Sequence, residues 1–294
     1  MSELTDNELL SELDRRFKIN NKVLEQQTKL LIELESVNEK LLEAEKVKTQ
    51  FLSNIRNEIN NPLSSIIGLS ESFSNHYNDK KGIDRISKLI YNEAFDLNYQ
   101  LHNIFVAAEL ESGRLKPEIA NADINELLEQ LSKEFKHKAD RKGIKITIDS
   151  NFERNFFRTD AEKLHLIVAN LLANAIEFSN NHSEIKIVVE ALNNKLSIMV
   201  QDFGIGIKLD DQTKIYDRFK QLQSGSTKGY GGHGLGLTII KDLIYLLEGG
   251  INLESELEVG SSFTIILLEA DETKNLNKTL GGNEFLFEEG DELF

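Results

Sequence analysis

Residues 51–63 read FLSNIRNEINNPL, and this short stretch places a proline inside a pattern that is otherwise helical. Asn57 and Asn61 are four residues apart, so both amides lie on one face of the predicted helix. Pro62 removes one backbone hydrogen bond and bends a helix at its position. The stretch therefore predicts a helix with a polar face and a bend just beyond that face.

The sequence before this stretch predicts one long helix, because residues from about 8 to 55 contain neither glycine nor proline. Apolar and amide side chains recur there at alternating spacings of three and four residues, which is the pattern of a coiled-coil seam. The seam consists of Leu10, Leu13, Phe17, Asn20, Leu24, Gln27, Leu31, Leu34, Asn38 and Leu41. The phase slips near Ala44, which locally over- or underwinds a coiled coil, and a plain dimerisation helix stays open as an interpretation. We assign residues 1–48 to a coiled-coil helix.

Residues 49–116 predict a hairpin of two helices. The first helix runs to about His76, and residues 78–82 form a polar turn. The second helix has an apolar stripe at helical spacing, made of Ile83, Ile86, Ile90, Leu97, Leu101, Ile104, Phe105 and Ala108. Gly113 is suited to end this helix. Two such hairpins, one from each chain of a homodimer, would form a four-helix bundle.

Residues 117–269 alternate between helical and strand patterns. This order predicts an α/β sandwich in which helices cover one face of a mixed sheet. The predicted helices are 124–139, 160–178 and 234–247, and the predicted strands are 143–149, 184–191, 195–202, 250–255 and 261–268. The expected fold class is therefore α plus α/β, with a coiled coil, a dimeric four-helix-bundle hairpin and then the sandwich.

Charge and composition exclude several classes of function. The net charge of −15 opposes binding to nucleic acid or to an anionic membrane surface. The sequence has no cysteine, which excludes disulfides and thiolate metal sites, and no apolar run of about 20 residues that could span a bilayer. The start has no signal-peptide pattern, so a cytoplasmic protein is expected. The acidic tail, residues 270–294, predicts disorder with apolar residues that could dock on a partner.

The stretch quoted first resembles the phosphoacceptor helix of sensor histidine kinases, in which a histidine precedes Glu-Ile-x-Asn-Pro. That frame is intact here, and Asn57 stands at the position of the histidine. A carboxamide nitrogen has its lone pair delocalised into the carbonyl, so Asn57 cannot accept a phosphoryl group as an imidazole does. The resemblance implies that Glu58 is the general base. It also implies that Asn61 orients a water that removes phosphate from a partner's aspartate.

Four motifs in the α/β region occur in the order of the same family's ATP-binding domain, a layout shared with gyrase-type ATPases and Hsp90-like chaperones. They are NLLANAIEFS from residue 170, DFGIGI from 202, IYDRFKQ at 215–221 and GYGGHGLGL at 229–237. Glycine amides at a helix N-terminus form an anion site. The resemblance implies an ATP site built from Asn170 as a catalytic polar residue, Asn174 as the Mg²⁺ ligand, Asp202 as acceptor for the adenine amino group, Gly204 and Gly206 beside the base, Phe219 as the anchor of a mobile loop, and Gly231, Gly232, Gly234 and Gly236 at the triphosphate.

Two residues depart from the family's pattern at this site. Glu177 takes a position at which the family often has lysine or arginine. A carboxylate there repels phosphate unless it faces solvent or meets Mg²⁺. His233 stands where the family often has threonine or serine, which is a loop variation without a catalytic role. These departures allow a reduced affinity for ATP and do not require a loss of binding.

The preferred hypothesis is a histidine-kinase-like signalling protein that binds Mg²⁺–ATP and either a response-regulator receiver domain or another histidine kinase. Its activity would be phosphatase-like through Asn61, or purely regulatory. A second hypothesis is an active kinase. Its acceptor would be His102, expected at the level of Asn57 in the hairpin, or a histidine at position 57 that mutation has replaced. A third hypothesis is a non-enzymatic coiled-coil scaffold.

Overall fold

The computed structural model describes residues 6–75, 80–152, 154, 156–216 and 235–271. Its helices are α1 (Asp6–Asn75), α2 (Lys80–Glu111), α3 (Ile124–Glu134), α4 (Lys136–Lys142), α5 (Ala161–Phe178) and α6 (Gly236–Leu246). Its strands are β1 (Ala120–Ala122), β2 (Lys145–Ser150), β3 (Phe157–Thr159), β4 (Glu184–Leu192), β5 (Lys195–Asp202), β6 (Gly250–Glu256) and β7 (Gly260–Leu268). Several predictions concern residues outside the described ranges, namely those for Phe219, Gly231, Gly232, His233, Gly234 and the tail beyond Asp271.

Helix α1 is a single element of 70 residues with Pro62 inside it. The helix predicted from residue 8 onward and the predicted first helix of the hairpin are therefore one continuous helix. The chain divides into two compact units, Met1–Asn54 and Ile55–Phe294. In the first unit the seam leucines are exposed, with 62% of Leu24 and 59% of Leu31 open to solvent. An apolar seam open to water is a surface that suits a second helix.

Helix α2 begins earlier than the sequence predicts. The predicted turn at 78–82 is wrong for its last three residues, because Lys80, Lys81 and Gly82 are helical. A glycine inside a helix costs only about 1 kcal/mol relative to alanine, so the remaining helix-favouring residues of α2 outweigh it. The helix ends at Glu111, and Gly113 follows with a left-handed φ of 65°, as expected of a helix terminator.

The α/β domain, residues 117–269, is built on a five-stranded sheet in the order β2-β4-β5-β7-β6. Strands β2 and β4 are parallel, and the other neighbouring pairs are antiparallel, so the predicted mixed sheet is confirmed. Helices α3 to α6 pack against this sheet. Alternate strand residues that face the helices, such as Ile185, Ile187 and Val189, are fully buried. The core therefore lies between one face of the sheet and the helix layer.

Two parts of the α/β domain differ from the sequence prediction. The helix predicted at 124–139 begins at the predicted residue but is not continuous, because the chain there forms the two helices α3 and α4, separated at the fully buried Phe135. The strand predicted from residue 143 begins at Lys145, because Gly143 has a φ of 64° and ends α4. The pair β1 and β3 was not predicted, since strands of three residues are too short to show an alternating pattern.

Within the second unit, α2 packs on the α/β domain through an aromatic cluster. The rings of Phe95 and Tyr99 meet the ring of Phe135 edge-on, with centroids 5.7 and 5.6 Å apart. Asp96, between them on α2, lies 3.0 Å from Lys138 Nζ. Aromatic pairs of this geometry contribute about 0.5–1.5 kcal/mol each beyond the burial of area. These contacts hold the hairpin helix against the domain that carries the predicted ATP site.

Candidate nucleotide-binding site

Helix α5 carries the first predicted motif, and Asp160 fixes its beginning. The Asp160 carboxylate accepts hydrogen bonds from the backbone N–H groups of Lys163, at 3.0 Å, and Glu118, at 2.7 Å. An N-cap of this kind stabilises a helix by about 1 kcal/mol. Most other residues of α5 are buried and apolar. The buried Asn170 and the half-buried Asn174 are therefore presented from a firmly placed helix.

The two asparagines of α5 lie against the first residue of α6. A Cβ atom on Gly236 would lie 2.9 Å from Asn170 Oδ1 and 3.8 Å from Asn174 Nδ2. A side chain at position 236 would press on the Asn170 amide, which explains the glycine. The N-terminus of a helix has backbone N–H groups without helical partners, and these favour an anion. The structure thus brings Asn170, Asn174 and Gly236 together at a place suited to phosphate.

The donor groups at this place fit a magnesium ion that takes further ligands from phosphate. Within the described ranges, no group of three or more histidine, cysteine, aspartate or glutamate side chains could hold a metal ion. Amide oxygens are hard, neutral ligands, and Mg²⁺ commonly combines one or two protein ligands with phosphate oxygens and water. Asn170 Oδ1, beside the start of α6, would supply a ligand of this kind. The Asn174 atom nearest the same point is the amide nitrogen Nδ2, so the role of Asn174 as the Mg²⁺ ligand stays a prediction.

Asp202 ends β5 and is buried, with 6% of its surface exposed. One carboxylate oxygen accepts the backbone N–H of Gly204 at 2.9 Å. Burial raises the pKa of Asp202 to about 6, while hydrogen bonds from the backbone of Gly204 and Ser261 act in the opposite direction. The group is therefore ionised at neutral pH at an energetic cost. An ionised carboxylate has acceptor sites for several donors, so Asp202 can also accept an adenine amino group.

Gly204 and Gly206 are required by the packing of the loop after β5. A Cβ atom on Gly204 would overlap the carbonyl oxygen of Phe178 at the end of α5, and one on Gly206 would overlap the carbonyl oxygen of Glu256. Gly206 also has a φ of 63°, which side chains disfavour. In the structure, Gly204 and Gly206 closely approach the backbone of other protein segments. The predicted approach of these glycines to a base stays a prediction.

The residues of the phosphoacceptor-like stretch lie on α1. Asn57 and Asn61 are exposed, so their amides reach solvent. The side chain of Glu58 lies outside the described part of the chain. His102, on α2, is exposed as well. Its expected position level with Asn57 stays a prediction.

The comparisons with known proteins agree with this geometry. The family model for "Histidine kinase-, DNA gyrase B-, and HSP90-like ATPase" matches residues 159–271. The autoinducer 2 sensor kinase/phosphatase LuxQ of Vibrio vulnificus (strain YJ016) is 31% identical over 224 residues, which cover 74% of this chain and 26% of that protein. The circadian input-output histidine kinase CikA of Synechococcus elongatus is 27% identical over 289 residues, or 95% of this chain and 38% of that protein. The chain belongs to the sensor histidine kinase family.

Two solved structures show that this histidine kinase family member has the family's fold. Full-length ShkA in complex with AMPPNP has a TM-score of 0.53 at 22% identity, over 77% of this chain and 46% of that one. The Acinetobacter baumannii histidine kinase AdeS has a TM-score of 0.51 at 19% identity, over 73% of this chain and 98% of that one. The predicted fold class, a helical N-terminal region followed by an α/β ATPase-type domain, is confirmed.

The chain spans only 26% and 38% of the two relatives described above. The activities of those whole proteins are therefore only proposals for this histidine kinase family member. In the part of the chain that the structure describes, no helix is long and apolar enough to cross a membrane.

Sequence reasoning missed a lysine that supports the site of this family member. Lys142, at the end of α4, donates from Nζ to the carbonyl oxygen of Ile176 at 2.9 Å and also to those of Glu177 and Ser179. These carbonyls lie in the last turn of α5 and at its C-cap, Ser179, where a cation is favourable. Nothing in the local sequence distinguishes Lys142 from a surface lysine, because its partners are more than 30 residues away.

Sequence reasoning also missed Asn103 of α2. Its side chain is 8% exposed and accepts a hydrogen bond from Asn170 Nδ2 at 2.8 Å. A signal was present, because Asn103 is a polar residue between the apolar Leu101 and Ile104 of the predicted stripe. A buried polar side chain requires a partner, although the sequence does not say which one.

Proposed function

We propose that this chain is a nucleotide-binding, regulatory member of a two-component signalling pathway that holds Mg²⁺–ATP without passing phosphate to residue 57. The observation that carries this proposal is the meeting of Asn170, Asn174 and Gly236 at the start of α6. Asp202, buried at the end of β5, adds an acceptor for the adenine amino group. The same residue types in the same motifs hold ATP in the family that the chain belongs to.

The exposed position of Asn57 supports the second half of the proposal. A carboxamide in solvent is a poor nucleophile, since its nitrogen lone pair is shared with the carbonyl. Glu58 then has no imidazole at its usual partner position to activate. Asn61 is exposed one turn further along α1 and needs no histidine to orient a water. Removal of phosphate from a partner's aspartate is therefore the chemistry that this helix can still support.

The proposed partners are inferred from two features of α1, its exposed seam leucines and its exposed Asn61. The exposed seam leucines of the first unit suit a second copy of α1, which gives a parallel homodimer. A receiver domain of a response regulator is the partner whose phosphorylated aspartate Asn61 would serve. The Vibrio relative is called a sensor kinase/phosphatase, and that name supports a phosphatase reaction here only by analogy. We place the protein in the cytoplasm.

A second candidate function is transfer of phosphate to another histidine. The exposed side chain of His102 on α2 favours it, because an accessible imidazole is the acceptor that position 57 lacks. A natural histidine at position 57, replaced by mutation in this sequence, would give the same function. The scaffold hypothesis needs no transfer at all, and it predicts that nucleotide changes nothing beyond folding stability.

Incubation of the full chain with γ-labelled ATP and Mg²⁺ separates these functions. The proposal predicts no acid-labile label on the protein. It also predicts faster loss of phosphate from a phosphorylated receiver domain, which Asn61→Ala abolishes and the neighbouring Asn60→Ala leaves in place. Acid-labile label that disappears in His102→Ala would establish the second candidate. No nucleotide-dependent change in either assay, and none in the hydrogen exchange of the dimer, would leave the scaffold.

A further inference from the structure

The side chains of Asn103 and Asn170 form a buried bridge between α2 and the candidate nucleotide site. Asn170 Nδ2 donates to Asn103 Oδ1 at 2.8 Å, although the two residues are 67 positions apart in the chain. Asn103 is 8% exposed and Asn170 is 3% exposed. A hydrogen bond so well shielded from water fixes both amides, because neither can exchange its partner for solvent without separating the helices.

Two backbone carbonyl groups determine which way each amide faces. Asn103 Nδ2 donates to the carbonyl oxygen of Tyr99 at 3.1 Å, so the oxygen of Asn103 is the end that faces Asn170. Asn170 Nδ2 also donates to the carbonyl oxygen of Leu166 at 2.9 Å. A carbonyl only accepts, so neither amide can rotate by half a turn without placing oxygen against oxygen. Both N–H groups of Asn170 are therefore used.

The remaining atom of this amide, Asn170 Oδ1, points to the start of α6. A Cβ atom on Gly236 would lie 2.9 Å from it, and Asn174 lies beside the same spot. The hydrogen bond from α2 thus leaves an oxygen, and not an N–H group, turned to the place where phosphate and Mg²⁺ fit. An oxygen ligand suits Mg²⁺, whereas an N–H donor repels it.

We propose that Asn103 is a positioning residue that orients Asn170 for the Mg²⁺ of a bound Mg²⁺–nucleotide, and so links docking of the hairpin helix to metal-dependent nucleotide binding. This inference rests on the proposed ATP site. When α2 lies on the α/β domain, Asn170 Oδ1 is held towards the metal. When α2 leaves, the amide loses one of its two fixing bonds and can turn. By reciprocity, a Mg²⁺–nucleotide favours the docked arrangement of α2 as much as docking favours the metal.

A merely structural role of the bridge makes a different prediction. If the two asparagines only satisfy each other in a buried contact, the loss of Asn103 lowers the stability of the α2 packing but does not change how binding depends on the metal. The metal dependence of affinity is therefore the decisive readout. Val106 provides the matched control, since it is buried on α2 one turn from Asn103 and carries no polar group that could orient Asn170.

The test titrates the full chain with ATP, once with excess Mg²⁺ and once with a chelator, and takes the ratio of the two dissociation constants. Asn103→Leu keeps the size of the side chain and removes the acceptor. We expect it to weaken Mg²⁺–ATP binding about tenfold while metal-free binding changes less than about twofold. Val106→Ala should leave the ratio unchanged. In an Asn170→Ala background, Asn103→Leu should change the ratio no further, because its effect passes through Asn170.

Thermal unfolding of each variant shows that it is folded, and Asn103→Ala replaces Asn103→Leu if the latter does not fold. An unchanged ratio in the folded Asn103 variant overturns this inference and leaves the proposed function standing. An equal change in Val106→Ala also overturns it, because docking alone would then be responsible. If the unsubstituted chain binds ATP in neither condition, the proposed function fails and this inference fails with it.

Discussion

The Asp202 carboxylate combines its proposed role in binding adenine with an energetic cost. Burial raises its pKa from 3.8 to about 6, so between these values the folded state holds a proton that the unfolded state has released. Stability therefore falls as the pH rises from about 4 to about 6, and the full loss persists at neutral pH. The shift of about two units corresponds to about 2–3 kcal/mol. The proposed binding role of Asp202 is thus obtained at the expense of stability.

Asp202→Asn should raise the free energy of unfolding at pH 7.5 by up to about 2–3 kcal/mol, because the buried charge is removed while an acceptor for Gly204 N–H remains. The gain should shrink towards pH 4, where Asp202 is protonated. The same variant should lose ATP binding. Urea unfolding at the two pH values measures the first effect. The exposed Asp210→Asn is the control, and equal stability of Asp202→Asn and the unsubstituted chain at pH 7.5 would contradict the account.

The loop after β5 is held between two elements at its glycines. Gly206→Ala places a Cβ atom at a φ of 63° and against the carbonyl oxygen of Glu256, at the end of β6. We expect a loss of about 2 kcal/mol or more in unfolding free energy. Gly250→Ala is the matched control, because a Cβ there meets nothing within 4 Å. A stability of Gly206→Ala equal to that of Gly250→Ala would show that the loop is not fixed in this way.

Lys142 joins two helices, since its side chain at the end of α4 caps the end of α5. Lys142→Met keeps the length of the side chain and removes the charged donor from the carbonyl groups of Ile176, Glu177 and Ser179. Hydrogen bonds of charged donors contribute about 1.5–3 kcal/mol, so we expect a loss of about that size in thermal or urea unfolding. The exposed Lys145→Met should cost much less. Equal effects of the two variants would refute the capping role.

At the scale of the whole molecule, the exposed seam of α1 is expected to bring two chains together. Leu24→Lys combined with Leu31→Lys places charges in that seam and should raise the dimer dissociation constant by at least about tenfold, measured by sedimentation equilibrium. Ile32→Lys is the control, because Ile32 is equally exposed but lies off the seam. A dimer that survives the double substitution and dissociates in the control would exclude the proposed seam.

The sequence predicted the long elements of this molecule. The family resemblance implied that Asn174 and Gly236 belong to one site, and the structure brings these two residues near each other. The break at Phe135 was not predicted, and the contacts of its ring with Phe95 and Tyr99 of α2 join residues that are far apart in the sequence. The bridge from Asn103 to Asn170 was missed for a related reason. Its partners come from different helices, and only their packing decides which amide meets which.

The most direct test of the central claim is native mass spectrometry of the full chain incubated with Mg²⁺ and ATP. The account predicts that a large fraction of the protein carries one bound nucleotide per chain, and that the protein released from it has no added phosphoryl group. A covalent phosphoryl group located on residue 57 would contradict the account. So would a chain that retains no nucleotide at ATP concentrations that saturate related ATP-binding domains.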